Sequence, residues 1–236
     1  MIVSIHQPNF LPWLGFFAKL EAADQFVLLD NAQFQKTGGG WVNRVQIQVG
    51  GRASWLTVPI KRPPGVQLIR EIEIQDAPRW SKKALRTLEQ SYGRHPFFEQ
   101  VFPLVESTLE HPSSDLAERN CHFILALAQK LEIDTSRLVL ESNMPSSDLV
   151  ATQRLVHMTR SLQGTMYLSG DGSAGYLDES LFHSGGIELA YMQFECVPYP
   201  QIGATGFLPG LSVLDPLFNL GFEGTTRLIQ RADPAA

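Results

Sequence analysis

Residues 2–30 have the sequence IVSIHQPNFLPWLGFFAKLEAADQFVLLD, which predicts a βαβ unit at the start of the chain. Residues 2–5 form a short apolar run rich in β-branched side chains, and polar and proline residues at 6–9 end it, as expected where a buried strand enters a loop. Residues 14–22 carry apolar side chains on most of a helical turn, and residues 26–30 again have the composition of a strand. A helix between two strands predicts that the strands pair in parallel.

The alternation of strands and helices returns in the second half of the chain, after a helix-rich middle. Helical spacing covers three stretches near residues 80–92, 97–109 and 115–131, and Ser114 or Asp115 is placed to cap the third. Further strands are predicted at 137–141, 166–168 and 187–192, and further helices at 148–162, 174–183 and 212–219, the last ending near Gly221. This alternation indicates an α/β fold with a mainly parallel sheet flanked by helices, Rossmann-like in layout.

A small antiparallel hairpin interrupts that pattern. Residues 41–60 alternate apolar and polar side chains on both sides of Gly50 and Gly51, which is typical of two strands joined by a tight turn. The Pro-Pro-Gly segment at 63–65 breaks the chain. Renewed alternation over 68–74 predicts a third strand that would extend the hairpin into a small sheet, placed where it could cover a site.

Length and composition indicate an ordinary globular protein. A chain of 236 residues suits one large α/β domain, and 44% hydrophobic against 18% charged residues is enough apolar material to build a core. We therefore expect one domain over residues 1–236, with a β-hairpin insertion at 41–76 and a helical segment at 80–131. Cys121 and Cys196 are too few for a disulfide framework and form no Cys-x-x-Cys pair, which predicts buried thiols.

The charge balance limits the classes of partner. A formal net charge of −5 argues against a nucleic-acid-binding surface, because such surfaces need clustered positive charge. The sequence has no basic leader and no apolar run as long as a membrane span, so we expect a cytoplasmic protein. A local group of basic residues could bind a small phosphorylated ligand; it comprises Lys36, Arg44, Arg52, Lys61 and Arg62. For Arg52, Lys61 and Arg62, a solvated sheet edge that resists aggregation is at least an equal alternative.

The loop after the first strand is the first candidate site. It contains His6, Gln7, Asn9 and Trp13, and it lies between a strand and a helix, where open α/β sheets bind ligands. The helix N-terminus beyond the loop could receive an anion. His6 is a candidate general base or hydrogen-bond donor, and the alternative is a structural histidine bonded to a loop carbonyl.

A second candidate cluster follows the second strand and should lie beside the first if the two strands are parallel. Lys36 and Arg44 could hold phosphate, the ammonium as a point charge and the guanidinium as a planar fork. Asp30 could orient a cation or a hydroxyl, and Gln33 and Asn43 could contact the same ligand. Alternatively, Asp30 caps a turn and Lys36 is simply solvated.

A glycine-rich loop at 167–176 forms the third cluster and follows another strand. Ser169, Gly170 and Tyr176 are candidate ligand contacts there, because glycines allow the backbone to approach a ligand closely. The loop is neither a Walker loop nor a full Gly-x-Gly-x-x-Gly fingerprint, so an ordinary strand-to-helix turn is an equal alternative. Gln201 is a further candidate because it lies near a long loop after a strand.

Several familiar catalytic patterns are absent from the sequence. It contains no His-Glu-x-x-His, no Gly-x-Ser-x-Gly and no cysteine pattern with metal-ligand spacing. Hydrolase and zinc functions therefore lose support, no metal ligands are predicted, and no cofactor can be assigned.

Nearly the whole chain resembles the WbqC-like family. The specific part of the resemblance is the segment IHQPNFLPWLGF at residues 5–16, and later segments follow in the family's order at 30–36, 41–44, 167–170 and 211–221. The resemblance implies a role in bacterial O-antigen or other surface-polysaccharide biosynthesis. It also implies a small-molecule substrate and, as partners, enzymes of the same pathway.

In that context we expect a transferase that moves an aminoacyl or other acyl group to a nucleotide-linked amino sugar. His6 would deprotonate the acceptor amine, while Lys36 and Arg44 would bind diphosphate. The sugar would be oriented by Asn9, Asp30, Gln33 and Asn43. The alternative is a noncatalytic sugar-nucleotide-binding or scaffold protein of the same pathway.

The βαβ opening is also the layout of the HUP-type nucleotidyltransferase and adenylate-forming folds. Those enzymes keep two histidines where this chain has Trp13-Leu14-Gly15-Phe16, so the groups that stabilise charge on a transferring phosphate are missing. The likeness is therefore an analogy of architecture and does not extend to mechanism.

Overall fold

A parallel five-stranded sheet is the centre of the fold. The structure is a computed structural model that describes residues 1–35, 40–62, 64–170, 172 and 175–230. Its strands are β1 (Ile2–His6), β2 (Gln25–Leu28), β3 (Arg44–Val49), β4 (Arg52–Thr57), β5 (Leu138–Leu140), β6 (Met166–Gly170) and β7 (Glu188–Met192). The sheet has the order β5-β2-β1-β6-β7, and β3 pairs with β4 in a separate antiparallel hairpin. The predicted Rossmann-like α/β fold is confirmed, because the chain builds the sheet outward in both directions from β1.

The helices lie where their apolar spacing predicts them, with few exceptions. They are α1 (Leu14–Ala22), α2 (Ala77–Tyr92), α3 (Phe98–Leu109), α4 (Leu116–Lys130), α5 (Ala151–Ser161), α6 (Glu179–Ser184) and α7 (Leu214–Gln230). Asp115 is the N-cap of α4, and its carboxylate accepts a hydrogen bond from the Glu118 amide. Among the described helices, none combines the length and apolar character needed to span a bilayer.

Apolar side chains cover both faces of the sheet, as buried parallel strands require. Val3 and Ile5 of β1 pack in one cluster with Met158 of α5 and Phe182 of α6. The larger cluster joins α1 to β2, β6, the helical middle of the chain and α7, and it includes Phe16, Phe17, Leu28, Leu168 and Phe218. The two clusters are separate because successive strand residues point to opposite faces.

The hairpin forms as predicted, with one correction to its extension. Gly50 and Gly51 both have positive φ, 58° and 77°, which a two-residue turn between right-twisted strands requires. Residues 68–74 are not a third strand: they form a 3₁₀ turn at Ile69–Glu71. The turn is anchored by backbone hydrogen bonds from Ile69 to Ala32 and from Arg70 to Asp30. The turn therefore lies against the loop after β2, while Ile74 forms an isolated antiparallel bridge with Ile60, just after β4.

Of two further predicted helix boundaries, one is confirmed and one is wrong. The predicted helix end near Gly221 is confirmed: the backbone there is non-helical, at φ 72° and ψ −176°, and a second helical segment of α7 then runs to Gln230. Helix α6 begins at Glu179 instead of near residue 174, because the Asp178 carboxylate accepts a hydrogen bond from the Ser180 amide and caps the helix there.

Candidate ligand-binding site at the switch point of the sheet

A cavity lies at the switch point of the sheet, which is the point at which the strand order reverses. Neighbouring strands β1 and β6 pair in parallel, and the chain leaves them toward opposite edges of the sheet, to β2 on one side and β7 on the other. The loops that follow such a strand pair diverge and leave a crevice beyond the carboxyl ends of the strands. The crevice here is a cavity of about 380 Å³.

The cavity wall is mostly apolar, with a few polar side chains, as in small-molecule sites generally. The loop after β1, the first turns of α1, the loop before β3, and strands β6 and β7 with the segments after them all contribute to it. The lining residues are Ile5, His6, Asn9, Trp13, Gly15, Phe16, Lys19, Trp41, Tyr167, Ser169, Gly170, Gly172, Met192 and Phe194.

His6 is held as a neutral imidazole at the end of β1. Its Nδ1 lies 3.0 Å from the Gln7 carbonyl oxygen, and its ring meets the Phe16 ring edge to face at 5.1 Å. The pKa of His6 is lowered from 6.5 to about 3, chiefly by burial and secondly by the nearby Lys19 charge, while the hydrogen bond with the Gln7 carbonyl opposes both effects. Since a carbonyl can only accept, the neutral ring carries its proton on Nδ1 and leaves Nε2 as a hydrogen-bond acceptor.

Lys19 is a buried cation at the same cavity. Its side chain is 5% exposed, Nζ donates to the Ile5 carbonyl at 3.2 Å, and the ammonium lies 5.7 Å from the centre of the Phe26 ring. Burial lowers the pKa of Lys19 to about 7. Among the described residues, no carboxylate forms an ion pair with it. At a pH below the pKa of Lys19, the cavity therefore contains a positive charge that no described side chain neutralises.

Trp13 forms one wall of the cavity by lying over the first turn of α1. A side chain at Gly15 would place its Cβ only 2.4 Å from the Trp13 ring, so glycine is required there for the indole to lie flat on the helix. The Trp13 ring also contacts the Phe194 ring edge to face at 5.3 Å. Trp13 thus joins the N-terminus of α1 to the segment after β7.

Asn120 of α4 fixes the loops around the cavity from behind. It is 1% exposed, and its Nδ2 donates to the carbonyls of Pro8 and Val42, each at 2.8 Å. The Phe10 amide donates to the Trp41 carbonyl at 3.0 Å. These bonds hold the loop after β1 against the segment before β3, which brings Trp41 to the cavity. Sequence reasoning did not identify Asn120, because nothing in its local sequence shows which loops it contacts.

Lys19 was also missed, although the sequence contained a signal. It is the one charged residue in the run LGFFAKL, residues 14–20, whose neighbours are all buried. A lone lysine within a buried helical face needs either a partner or a ligand.

The cluster after β2 lies on the same rim of the sheet but away from the cavity. Asp30 is buried, and its Oδ1 accepts from the Ser142 amide at 2.9 Å. Asn43 Nδ2 donates to the Val58 carbonyl at 3.0 Å, and Gln33 is exposed and forms an isolated bridge with Leu68. The Arg44 guanidinium lies over the Trp55 ring at 4.4 Å. None of these four candidates lines the cavity, and Lys36 lies outside the described residues.

Some of the remaining candidate residues line the cavity and others do not. Ser169 and Gly170 line the cavity, as does Gly172, whereas Tyr176 is 85% exposed and does not line it. Gln201 belongs to a buried polar network: its Nε2 donates to Asp215 Oδ1 at 2.9 Å. Gln7 contributes its carbonyl to His6 and is not itself a lining residue.

Comparison with known proteins gives the chain a family and one relative. The WbqC-like protein family matches residues 7–227. The uncharacterized protein Rv1507c of Mycobacterium tuberculosis (strain ATCC 25618 / H37Rv) is 32% identical over 224 residues, which cover 94% of each chain. No solved structure matches the chain.

Proposed function

Because the chain belongs to the WbqC-like protein family, we propose that it is a transferase of bacterial surface-polysaccharide biosynthesis. Its substrate is a nucleotide-linked amino sugar, to whose amine it transfers an aminoacyl or other acyl group. The polysaccharide context comes from the family resemblance. The chemistry is supported by one observation in particular, the buried and unneutralised Lys19 beside His6 in the cavity at the switch point.

The charge of Lys19 supports an anionic substrate. A buried ammonium without a counter-ion destabilises the free protein, and a ligand that brings its own negative charge removes that penalty. The phosphate that joins a sugar to its nucleotide supplies such a charge next to the sugar ring. A cavity of about 380 Å³ is near the lower end of the range for small-molecule sites, so it suits the sugar and adjoining phosphate better than a whole nucleotide sugar.

His6 supplies the acceptor for the amine. With Nδ1 held by the Gln7 carbonyl, Nε2 can accept a hydrogen bond from an N–H of the sugar amine. In the transfer step the amine nitrogen bonds to the acyl carbon and the bond from that carbon to its carrier breaks. One N–H proton passes to Nε2 and then to the departing atom of the carrier, so the products are an amide and the protonated carrier.

The substrate itself strengthens the base. The charge of Lys19 is one of the causes that lower the pKa of His6. A phosphate paired with Lys19 cancels that charge and so raises the pKa of His6, while the larger lowering caused by burial remains. His6 is therefore a weak base in the empty site and a stronger one when substrate is bound.

The other proposed contacts differ in how well the geometry supports them. Asn9 is buried and lines the cavity, which supports its role in orienting the sugar. Arg44 remains a candidate for the diphosphate, because among the described residues its guanidinium forms no ion pair. The side-chain bonds of Asp30 and Asn43 to the backbone favour structural roles for both.

The experiment is an assay of the purified protein with UDP- and dTDP-linked amino sugars and with acyl thioesters or aminoacyl donors. A mass increase of the sugar nucleotide equal to the acyl group supports transfer. His6→Gln should abolish turnover while nucleotide-sugar binding and the fold are kept. Binding without conversion across the donors would instead identify a noncatalytic sugar-nucleotide-binding protein of the same pathway.

A further inference from the structure

Two tryptophans form an exposed aromatic pair beside the cavity. Trp41 is 41% exposed and Trp55 is 46% exposed, and their ring centroids lie 5.4 Å apart with an angle of 51° between the ring planes. Indole rings are among the largest apolar groups in proteins and are usually covered. Two adjacent exposed indoles next to a cavity indicate a surface that binds something flat or apolar.

The positively charged side chain of Arg44 lies beside this pair of tryptophans. The Arg44 guanidinium lies 4.4 Å from the centre of the Trp55 ring, in cation–π geometry. Among the described residues, no carboxylate lies within salt-bridge distance of it. The guanidinium is therefore positioned by the indole and keeps its capacity to pair with an anion.

The pair is continuous with the cavity. Trp41 lines the cavity and also contacts Trp55, so the two rings lead from its mouth onto the hairpin. The bonds from the Phe10 amide to the Trp41 carbonyl and from Asn120 to the Val42 carbonyl fix the backbone that directly follows the Cα of Trp41. The surface is thus built onto the site and is not an isolated patch.

We propose that Trp41 and Trp55 form the platform on which the base of the bound nucleotide stacks, with Arg44 available to its phosphates. This inference rests on the proposed function, because it names where the nucleotide part of the substrate lies. A ring cannot enter between the two indoles, since two contact layers of about 3.5 Å each exceed the 5.4 Å between their centroids. The base therefore stacks on the open side of Trp41, at the mouth of the cavity.

The test separates base recognition from phosphate recognition. Dissociation constants are measured by calorimetry for UDP, dTDP and GDP, and for pyrophosphate as the probe without a base. Trp41→Ala should weaken the binding of the tightest nucleotide about tenfold or more, which is the usual effect of losing one base–aromatic stack. Its affinity for pyrophosphate should stay within about twofold of that of the wild type. Trp41→Phe should retain most of the wild-type affinity for the nucleotide. Arg44→Ala should weaken the binding of nucleotides and of pyrophosphate to a similar extent.

Val49→Ala is the matched control, because Val49 is an exposed apolar residue at 38% on the same hairpin. The inference is overturned if Trp41→Ala loses affinity for nucleotide and pyrophosphate equally, or loses affinity for neither. Nucleotide binding by the wild type would remain established in both cases. A wild type that binds pyrophosphate as tightly as every nucleotide overturns it as well. A protein that passes this test but makes no amide product keeps the stacking platform and loses the transferase activity.

Discussion

The Lys19 ammonium donates to the Ile5 carbonyl across 3.2 Å, from the buried side of α1 to the end of β1. This bond places a cation one residue before His6 on the strand at which the sheet order reverses. One neutral carbonyl does not compensate a buried charge, so the arrangement stores a penalty that an anionic ligand can relieve. The consequences for stability, pH dependence and binding can each be measured.

Replacing Lys19 with methionine should stabilise the free protein. The pKa of Lys19 is lowered from 10.5 to about 7, so holding the proton at pH 6.5 opposes folding, and Lys19→Met removes that opposition. We expect the free energy of unfolding at pH 6.5 to rise by on the order of 2 kcal/mol. Urea denaturation measures this, with the exposed Lys82→Met as control.

The same variant has a pH signature. Between pH 7 and 10.5 the folded chain loses the Lys19 proton while the unfolded chain keeps it, so wild-type stability rises with pH in this window. The advantage of Lys19→Met should therefore shrink between pH 7 and pH 10. A constant advantage would show that the charge of Lys19 is not the cause.

His6 should make the protein acid-sensitive. Its pKa is lowered from 6.5 to about 3, so as the pH falls from 6.5 toward 3 the unfolded chain binds a proton that the folded chain does not. Stability contributed by the neutral ring is present above pH 6.5 and is lost through this window. The free energy of unfolding of His6→Gln should fall less steeply between pH 6.5 and pH 4 than that of wild type. Parallel curves would contradict the burial of a neutral imidazole.

Asn120 should control the cavity without contacting the ligand. In Asn120→Asp the two donated hydrogen bonds are replaced by a carboxylate facing the Pro8 and Val42 carbonyls. We expect a loss of about 3 kcal/mol in the free energy of unfolding, together with weaker nucleotide binding. Chemical denaturation and calorimetry test both, with the exposed Asn143→Asp as control. Stability and affinity equal to wild type would mean that these bonds do not position the loops.

Asp215 should matter for stability alone. Its buried carboxylate accepts from Tyr92 at 3.2 Å, Tyr199 at 2.8 Å and Gln201 at 2.9 Å, and burial raises its pKa while these donors oppose the rise. Asp215→Ala removes the acceptor of the Tyr92 and Tyr199 hydroxyls, while Gln201 Nε2 keeps the Leu208 carbonyl, and should lower the free energy of unfolding by about 3 kcal/mol. Thermal unfolding measures the loss, and Glu223→Ala, on the exposed side of α7, should be near neutral.

Local pattern was enough to predict most of the fold. Helix α1 lies at its predicted bounds because an apolar stripe and the preceding Pro12 act within a few residues. Gly50 and Gly51 marked the hairpin turn because positive φ favours glycine. The strand predicted at 68–74 is instead a 3₁₀ turn at Ile69–Glu71 followed by an isolated bridge from Ile74 to Ile60, because alternating apolar residues can also be buried against another loop.

The site was only partly predictable, because it depends on contacts between distant segments. The loop after β1 was predicted as a site, and His6, Asn9 and Trp13 do line the cavity. We expected that loop to share a cavity with the loop after β2, but the crevice opens toward β6, on the other side of β1. Strand order decides this, and sequence alternation alone does not reveal strand order. The contribution of Asn120 depends on a bond across 112 residues of chain.

The most direct measurement is the dissociation constant of UDP-glucosamine at pH 6.5 for the wild type, Lys19→Met and Lys82→Met. If Lys19 is the counter-charge of the substrate, Lys19→Met should bind on the order of 100-fold more weakly, the loss expected for a charged hydrogen bond. Lys82→Met should stay within about twofold of wild type, because Lys82 is exposed on α2. Equal affinity of all three proteins for the sugar nucleotide would contradict the account.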